Sequence, residues 1–265
     1  MQPQENPEKA PNPFANFHID STDLLDTVDG RSICDKCTKS RKYYCYTCHI
    51  PVITIRDKIP NLKLPIKIDI IKYPKEIDGK STASHAAVLA PDDVTIYTFP
   101  NIPMFTDKNK VLVAFPGKRA VTLEEVCKTV IPVTQNDVDT FVNKFPFERI
   151  IVIDSTWNQV RKINNDERLK GIQRVELKSR ESLFWRYQRG KPNSYLSTIE
   201  TVYYFLVDLH SMVVQEPYAG QYDNLLFFFS FMYNKIHSMY DHEALKAYTL
   251  RPKNQPKKIR KKFNF

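Results

Sequence analysis

Three clusters in this sequence combine residue types and spacing in ways that can support chemistry. In the first, an unbroken apolar run from Ile150 to Ile153 stops abruptly at Asp154, Ser155, Thr156 and Trp157. A carboxylate can take or orient a proton, hydroxyls can hold a polar ligand, and an indole can stack on a base or pack beneath a loop. The same residues also read as the cap and core anchor of a following helix. In the second, "SYLSTIE" at 194–200, polar groups crowd the start of a segment whose apolar residues fall on one helical face. Ser197-x-x-Glu200 fits a capping box, and the N–H groups near Leu196, Ser197 and Thr198 can hold a carboxylate or phosphate.

The third cluster is Cys34, Cys37, Cys45 and Cys48, a C-x2-C-x7-C-x2-C pattern that leaves Cys127 alone in an expected helix. Two C-x-x-C turns supply four thiolates, which suits tetrahedral zinc with every position filled by protein, a structural rather than catalytic site. Disulfides or a redox site are the rivals. They fit less well, because the N-terminal segment has neither an apolar signal core nor an Arg-rich amphipathic pattern and secretion is not expected. Lys36, Lys39, Arg41 and Lys42 are followed by Tyr43, Tyr44 and Tyr46 inside the cluster, a mixture suited to single-stranded or looped RNA. A similar mixture recurs at 176–191. There Lys178, Arg180, Arg186, Arg189 and Lys191 can neutralise phosphates while Phe184, Trp185 and Tyr187 stack, or the segment is a solvated face over a few core rings.

These groups need a frame. "PVITI" (51–55), "IKIDII" (66–71), "VTIYTF" (94–99), "VLVAF" (111–115) and 149–153 are expected as strands. Residues 81–90, 122–130 and 156–169 are expected as helices, followed by two more beginning near 194 and 223. Alternation of this kind predicts an α/β fold with a mostly parallel sheet and helices on both faces. Ligands of such sheets collect beyond the carboxyl ends of strands, where residues 154–157 would lie.

The chain has 265 residues and a net charge of +9, unevenly spread. Residues 1–30 hold six acids and one lysine, and residues 251–265 hold seven basic residues and no acid, so the part between is itself basic. That favours a polyanionic partner, nucleic acid ahead of a membrane surface. No apolar run approaches the roughly 20 residues of a membrane span. Residues 1–30, rich in proline and acid, are expected as a flexible leader, 31–50 as the zinc-binding module, 51–240 as the main domain and 241–265 as a basic tail. The tail reads as a nuclear import signal or an RNA arm, so the expected location is nuclear, with the cytoplasm open as well. No obligate protein partner is inferred.

Together these segments resemble the DTW-domain family, the tRNA-uridine aminocarboxypropyltransferases. "DSTW" (154–157) fits its D-x-T-W signature, "YLSTIET" (195–201) and "KYPKEIDGKSTASHAAVLAP" (72–91) resemble its other motifs, and the cysteines resemble its N-terminal cluster. "GQYDNLLFFFSFMY" (220–233) is most similar to the eukaryotic type-1 branch. The resemblance implies a SPOUT-like α/β fold with a C-terminal trefoil knot. It also implies transfer of the 3-amino-3-carboxypropyl group of S-adenosylmethionine to N3 of a D-loop uridine in tRNA, with release of 5′-methylthioadenosine. Under it, Asp154 is the expected general base, with Thr156 and Trp157 beside it. Ser81, Thr82, Ser155, Leu196, Ser197 and Thr198 are expected around the donor. Two departures stand out: many bacterial members close the cluster with C-x-C rather than Cys45-x-x-Cys48, and Tyr73 stands where a histidine is common. A SPOUT-class RNA methyltransferase and a zinc-containing RNA-binding adaptor without catalysis are the alternative readings.

Overall fold

Strands of a parallel sheet covered on both faces read as near-continuous apolar runs, as 111–114 and 150–153 do, and the expected strands at 66–71, 94–99, 111–115 and 149–153 all form. The computed structural model describes residues 12–117, 119–130, 145–156, 159–177, 180–185, 194–214 and 216–240. Six strands, β1 (Lys67–Lys72), β2 (Val94–Thr98), β3 (Val111–Ala114), β4 (Val121–Thr122), β5 (Arg149–Asp154) and β6 (Gln173–Glu176), make one sheet in the order β2-β1-β5-β3-β6-β4. Every pairing in it is parallel, so all the carboxyl ends share one rim. The helices packed around it among the described residues are α1 (Ala83–Leu89), α2 (Leu123–Val130), α3 (Val160–Asn164), α4 (Thr198–Val213) and α5 (Phe227–Met239), with a further single turn at Asp23–Asp26.

Alternation along each strand decides which face a residue serves. Ile68, Ile70, Leu112, Ala114, Ile150, Val152 and Val175 point to the face where α1, α2 and α4 pack, together with Phe229 of α5. Ile71, Val111, Val113 and Ile151 point to the other, covered by Ile163 of α3 and by Ile102, Leu169 and Ile172 from turns. Each fully buried aliphatic side chain contributes about 1.5–3 kcal/mol. The continuous run 150–153 is therefore two alternating sets, one per face. Helices do lie on both faces, though among the described residues the second face carries only the short α3. Among the described residues no helix is long and apolar enough to cross a membrane.

Several expectations need correction. "PVITI" is not a strand: only Ile50–Pro51 pairs, with Tyr44–Cys45, and a turn follows in which the Ile55 N–H donates to the Val52 carbonyl at 3.2 Å. Val52 and Ile55 are apolar because they anchor the cysteine module against Leu25, Tyr43 and the Phe227, Phe228 and Phe231 side chains of α5. Of the helix expected over 156–169, the described residues show Val160–Asn164. Asp166 then uses its carboxylate to cap a separate 3-10 turn through the Arg168 N–H at 3.1 Å, a local bond that competes with helix continuation. β4 and β6 were not foreseen, being only two and four residues long.

The leader is the largest difference. From Phe14 onward it is packed: Phe14 meets the rings of Phe17, Phe229 and Tyr233 at 5.7, 6.2 and 5.3 Å, and Leu25 is fully buried. The His18 N–H donates to Asp223 at 2.7 Å and the Asp20 N–H to Asn224 at 2.8 Å. Asp223 is buried and also accepts from the Tyr203 and Tyr218 hydroxyls at 2.8 and 2.6 Å. Residues 12–26 thus form a strap over α5 and the turn before it.

Candidate active site

Asp154 is the last residue of β5, two places beyond Val152, so its side chain emerges on the face covered by α1 and α4. The sheet register sets Asp154 beside Lys72, and Lys72 beside Thr98. These three end one row across the rim. The carboxylate is gripped from both sides: Oδ2 accepts from the Ser81 hydroxyl at 2.6 Å and Oδ1 from the Thr198 hydroxyl at 2.8 Å. Ser81 is itself held by the Ala83 N–H at 3.0 Å, and the Ile199 N–H donates to the Thr82 hydroxyl at 3.2 Å. The starts of α1 and α4 are therefore tied to one acid and to each other.

Burial pushes the Asp154 carboxyl above the usual carboxylate range, against the Ser81 and Thr198 hydroxyls and the Lys72 charge, all of which favour the anion. A carboxylate raised in this way is a better proton acceptor. Lys72 also forms an ion pair with Asp78, and its side chain is only 14% exposed.

The start of α4 is built by Glu200. Its carboxylate is buried and accepts from the Ser197 N–H at 2.7 Å, the Ser182 hydroxyl at 2.7 Å and the Leu183 N–H at 2.6 Å. The expected Ser197/Glu200 capping box is present. Its Glu200 half is the tight one, since the buried Ser197 hydroxyl makes no close hydrogen bond. Leu196 is half-buried beside it. Ser155 and Thr156 lie at the rim: the Thr156 N–H donates to Glu76 at 2.8 Å, and its carbonyl accepts from Gln159 and Val160 to begin the turn of α3. Trp157 lies outside the described residues.

The basic and aromatic segment is less available than its composition promised. Arg180 pairs with Asp208 at 2.6 Å and lies over the Tyr204 ring. Phe184 and Trp185 pack against Phe229, with ring centroids 6.5 and 5.1 Å away. These three hold the segment to α4 and α5. Lys178, Arg186, Arg189 and Lys191 lie outside the described residues, as do Tyr187 and the basic tail.

The four cysteines converge, with all their Sγ atoms within 4.8 Å of one another. Cys37 and Cys45 are 3.6 Å apart, too far for a disulfide. Zinc bonded tetrahedrally to sulfur at about 2.3 Å separates its ligands by about 3.8 Å, so the cluster fits the ion. The two C-x-x-C turns are built alike. The Thr38 N–H donates to the Cys34 carbonyl at 2.9 Å, the His49 N–H to the Cys45 carbonyl at 2.7 Å, and both residues have positive φ, 58° and 55°. A β-branched residue at positive φ is strained, so the surrounding module must hold it. The departure at Cys45-x-x-Cys48 thus yields a second turn equivalent to the first. Arg41 is buried next to Cys45 and stacks 3.8 Å from the Tyr46 ring centre. Burial raises the Cys45 thiol, but the N–H groups of Cys48 and Thr47, the Arg41 guanidinium and Cys37 outweigh it and bring it down to about 6.

Sequence reasoning missed Lys72, Glu76, Asp78 and Thr98. The signal was available for the first three, which lie in or at the start of the polar loop leaving β1, beside β5. Thr98 became visible only through strand order.

A model of the DTW domain matches residues 42–237. The tRNA-uridine aminocarboxypropyltransferase 1 of Xenopus tropicalis is 46% identical, with 85% of this chain and 86% of that one covered. The protein of the same name from Homo sapiens is 44% identical, with 84% of each chain covered. Among solved structures, the SAM-dependent rRNA:acp-transferase Tsr3 from Vulcanisaeta distributa aligns at a TM-score of 0.39 with 14% identity, over 70% of this chain and 83% of that one. With a domain match over most of its length and relatives this similar along nearly all of it, the chain belongs to the DTW-domain family.

Proposed function

We propose that the protein is a tRNA-modifying transferase that moves the 3-amino-3-carboxypropyl group of S-adenosylmethionine onto N3 of a D-loop uridine and releases 5′-methylthioadenosine. The observation that carries this reading is the Asp154 carboxylate, held by hydroxyls from two helix starts at the rim of the sheet, in a chain whose relatives are named tRNA-uridine aminocarboxypropyltransferases.

The reaction needs a base because uridine N3–H is a weak acid. Asp154 takes that proton, the N3 electron pair attacks the γ-methylene, and the carbon–sulfur bond breaks with its electrons passing to sulfur. The positive sulfonium becomes a neutral thioether. Choosing the γ-carbon over the methyl is a matter of positioning. The donor carboxylate fits the start of α4, where the Ser197 and Ile199 N–H groups are already used by Glu200 and Thr82. That leaves the Leu196 and Thr198 N–H groups and the Ser197 hydroxyl to hold it. Ser155, Thr156 and Trp157 would close the loop over the reacting atoms, and Ser81 and Thr82 would brace the opposite wall.

Cys34, Cys37, Cys45 and Cys48 would hold zinc, which supplies cross-linking of two turns rather than chemistry. We assign residues 31–50 to this module, 51–240 to a SPOUT-like catalytic domain with a C-terminal knot, and 241–265 to a basic tail that is a nuclear import signal or an RNA arm. Loss of import from a reporter fusion on deleting 251–265 would make it the import signal, and unchanged distribution with weakened tRNA binding would make it the RNA arm.

Mass spectrometry of nucleosides from tRNA of cells lacking the protein, incubated with the enzyme and S-adenosylmethionine, tests the function. The reading expects uridine heavier by about 101 Da, whereas attack at the methyl would add about 14 Da. Only the smaller product would make it a methyltransferase, and no product would make it a binding protein.

A further inference from the structure

A cavity of about 210 Å³ opens between the cysteine module and the rim of the sheet, lined by Tyr46, His49, Lys72, Asp78, Ser81 and Thr98 among others. It adjoins the base, because Ser81 lines it while donating to Asp154. Its size is below the roughly 300–1,000 Å³ usual for cofactor-sized ligands. A complete S-adenosylmethionine would not fit, whereas one flat nucleobase would. Its polar groups are mixed. Lys72 spends one N–H on Asp78 and retains others, and the Ser81 and Thr98 hydroxyls can donate or accept. Uracil presents two carbonyl acceptors flanking one N–H donor, which matches a site of cationic and hydroxyl donors beside a carboxylate. On the module side, Lys36 and Lys39 are exposed, where an RNA backbone arriving over the module would meet them.

We propose that this cavity receives the splayed-out target uracil, and that Lys72 is a catalytic residue whose ammonium donates to a uracil carbonyl oxygen. The inference rests on the proposed function and deepens it. When N3–H passes its proton to Asp154, the negative charge spreads over N3 and both carbonyl oxygens. A fixed ammonium at one of those oxygens stabilises that charge as it forms. The row Asp154, Lys72, Thr98 then has a division of labour. Asp154 faces the proton, Lys72 the developing charge and Thr98 the far edge of the ring. The cysteine module becomes a wall of the substrate pocket as well as a folded appendage.

The test uses tRNA transcribed with 4-thiouridine in place of uridine, cross-linked to the full-length protein by long-wave ultraviolet light and mapped by peptide mass spectrometry. Cross-links are expected within 46–49 or 72–84. Thr98→Trp, a substitution at an exposed strand end that fills the cavity, should abolish them while leaving the melting temperature and S-adenosylmethionine affinity near wild type. Lys72→Met should slow transfer by at least about 100-fold, in line with loss of one stabilising donor, with tRNA affinity changed by less than about threefold because one contact among many phosphates is lost. Cross-links elsewhere that persist in Thr98→Trp, or a loss of donor affinity in that variant, would overturn the proposal. If wild-type protein cross-links at the cavity in a Thr98-sensitive way yet forms only methyluridine or no product, the pocket stands and the transferase reading fails.

Discussion

Asp154→Asn separates the chemical from the structural role of the acid at the rim. The amide keeps the shape and one acceptor oxygen, and the hydroxyls of Ser81 and Thr198 can rotate so that one donates and the other accepts. What is lost is a negative charge and a proton acceptor. Because burial raises the wild-type carboxyl, the folded state favours its protonated form. The associated stability is present in full below the unfolded-state value and is lost as pH rises through the raised folded-state value. The variant should therefore melt like wild type in acid and above it at neutral pH, by about 0.5–2 kcal/mol, the usual range for relieving a functional-site penalty. Transfer should fall by about 10²–10⁴-fold, the range of a general-base contribution, or about 3–5 kcal/mol at 1.36 kcal/mol per decade. Single-turnover transfer to tRNA at saturating donor, with thermal melts across pH, reads both quantities. A variant that transfers at the wild-type rate removes the base role. One that melts below wild type at neutral pH shows that the anion is a structural acceptor, and the argument from burial is then wrong.

Other expectations follow from neighbouring contacts. Ser81→Ala removes a hydroxyl bond that favours the Asp154 anion, so the rising limb of the pH–rate profile should move to higher pH; an unmoved limb would mean that Ser81 does not tune the base. The purified protein should carry one zinc per chain. Cys45→Ser should lose the metal and markedly lower the melting temperature, since structural zinc contributes about 10–16 kcal/mol of binding free energy in small modules; full stability without metal would refute the zinc assignment. Phe14→Ala should cost about 3–5 kcal/mol in chemical denaturation if residues 12–26 are a packed strap, and less than about 0.5 kcal/mol if they are a free leader.

The parts of the fold that were legible in sequence are those where one local signal decides the outcome. The inner residues of the long strands, Ile68, Ile70 and Ile71 and the run 150–153, are apolar because both faces are covered, and the two C-x-x-C turns are fixed by ligand spacing. The errors fall where burial is supplied by partners distant in sequence. Val52 and Ile55 resemble a strand but are apolar to meet α5, and the proline-rich start resembles a linker until Asp223, over 200 residues away, accepts from His18. Phe184 and Trp185 suggested stacking platforms, yet Phe229 covers them.

The site divides in the same way. Asp154, Ser81, Thr82, Ser197 and Thr198 were visible because each stands where an apolar pattern begins or ends. What no local pattern contains is the order of the strands. Placing β1 between β2 and β5 brings Lys72 into line with Asp154 and Thr98, and the loop that follows β1 carries Asp78 and Ser81 to the same rim. A lysine at the end of a strand is ordinary in sequence. Its charge acquires a use only when the neighbouring strand ends, at the same level, in the acid that needs an electrostatic counterpart.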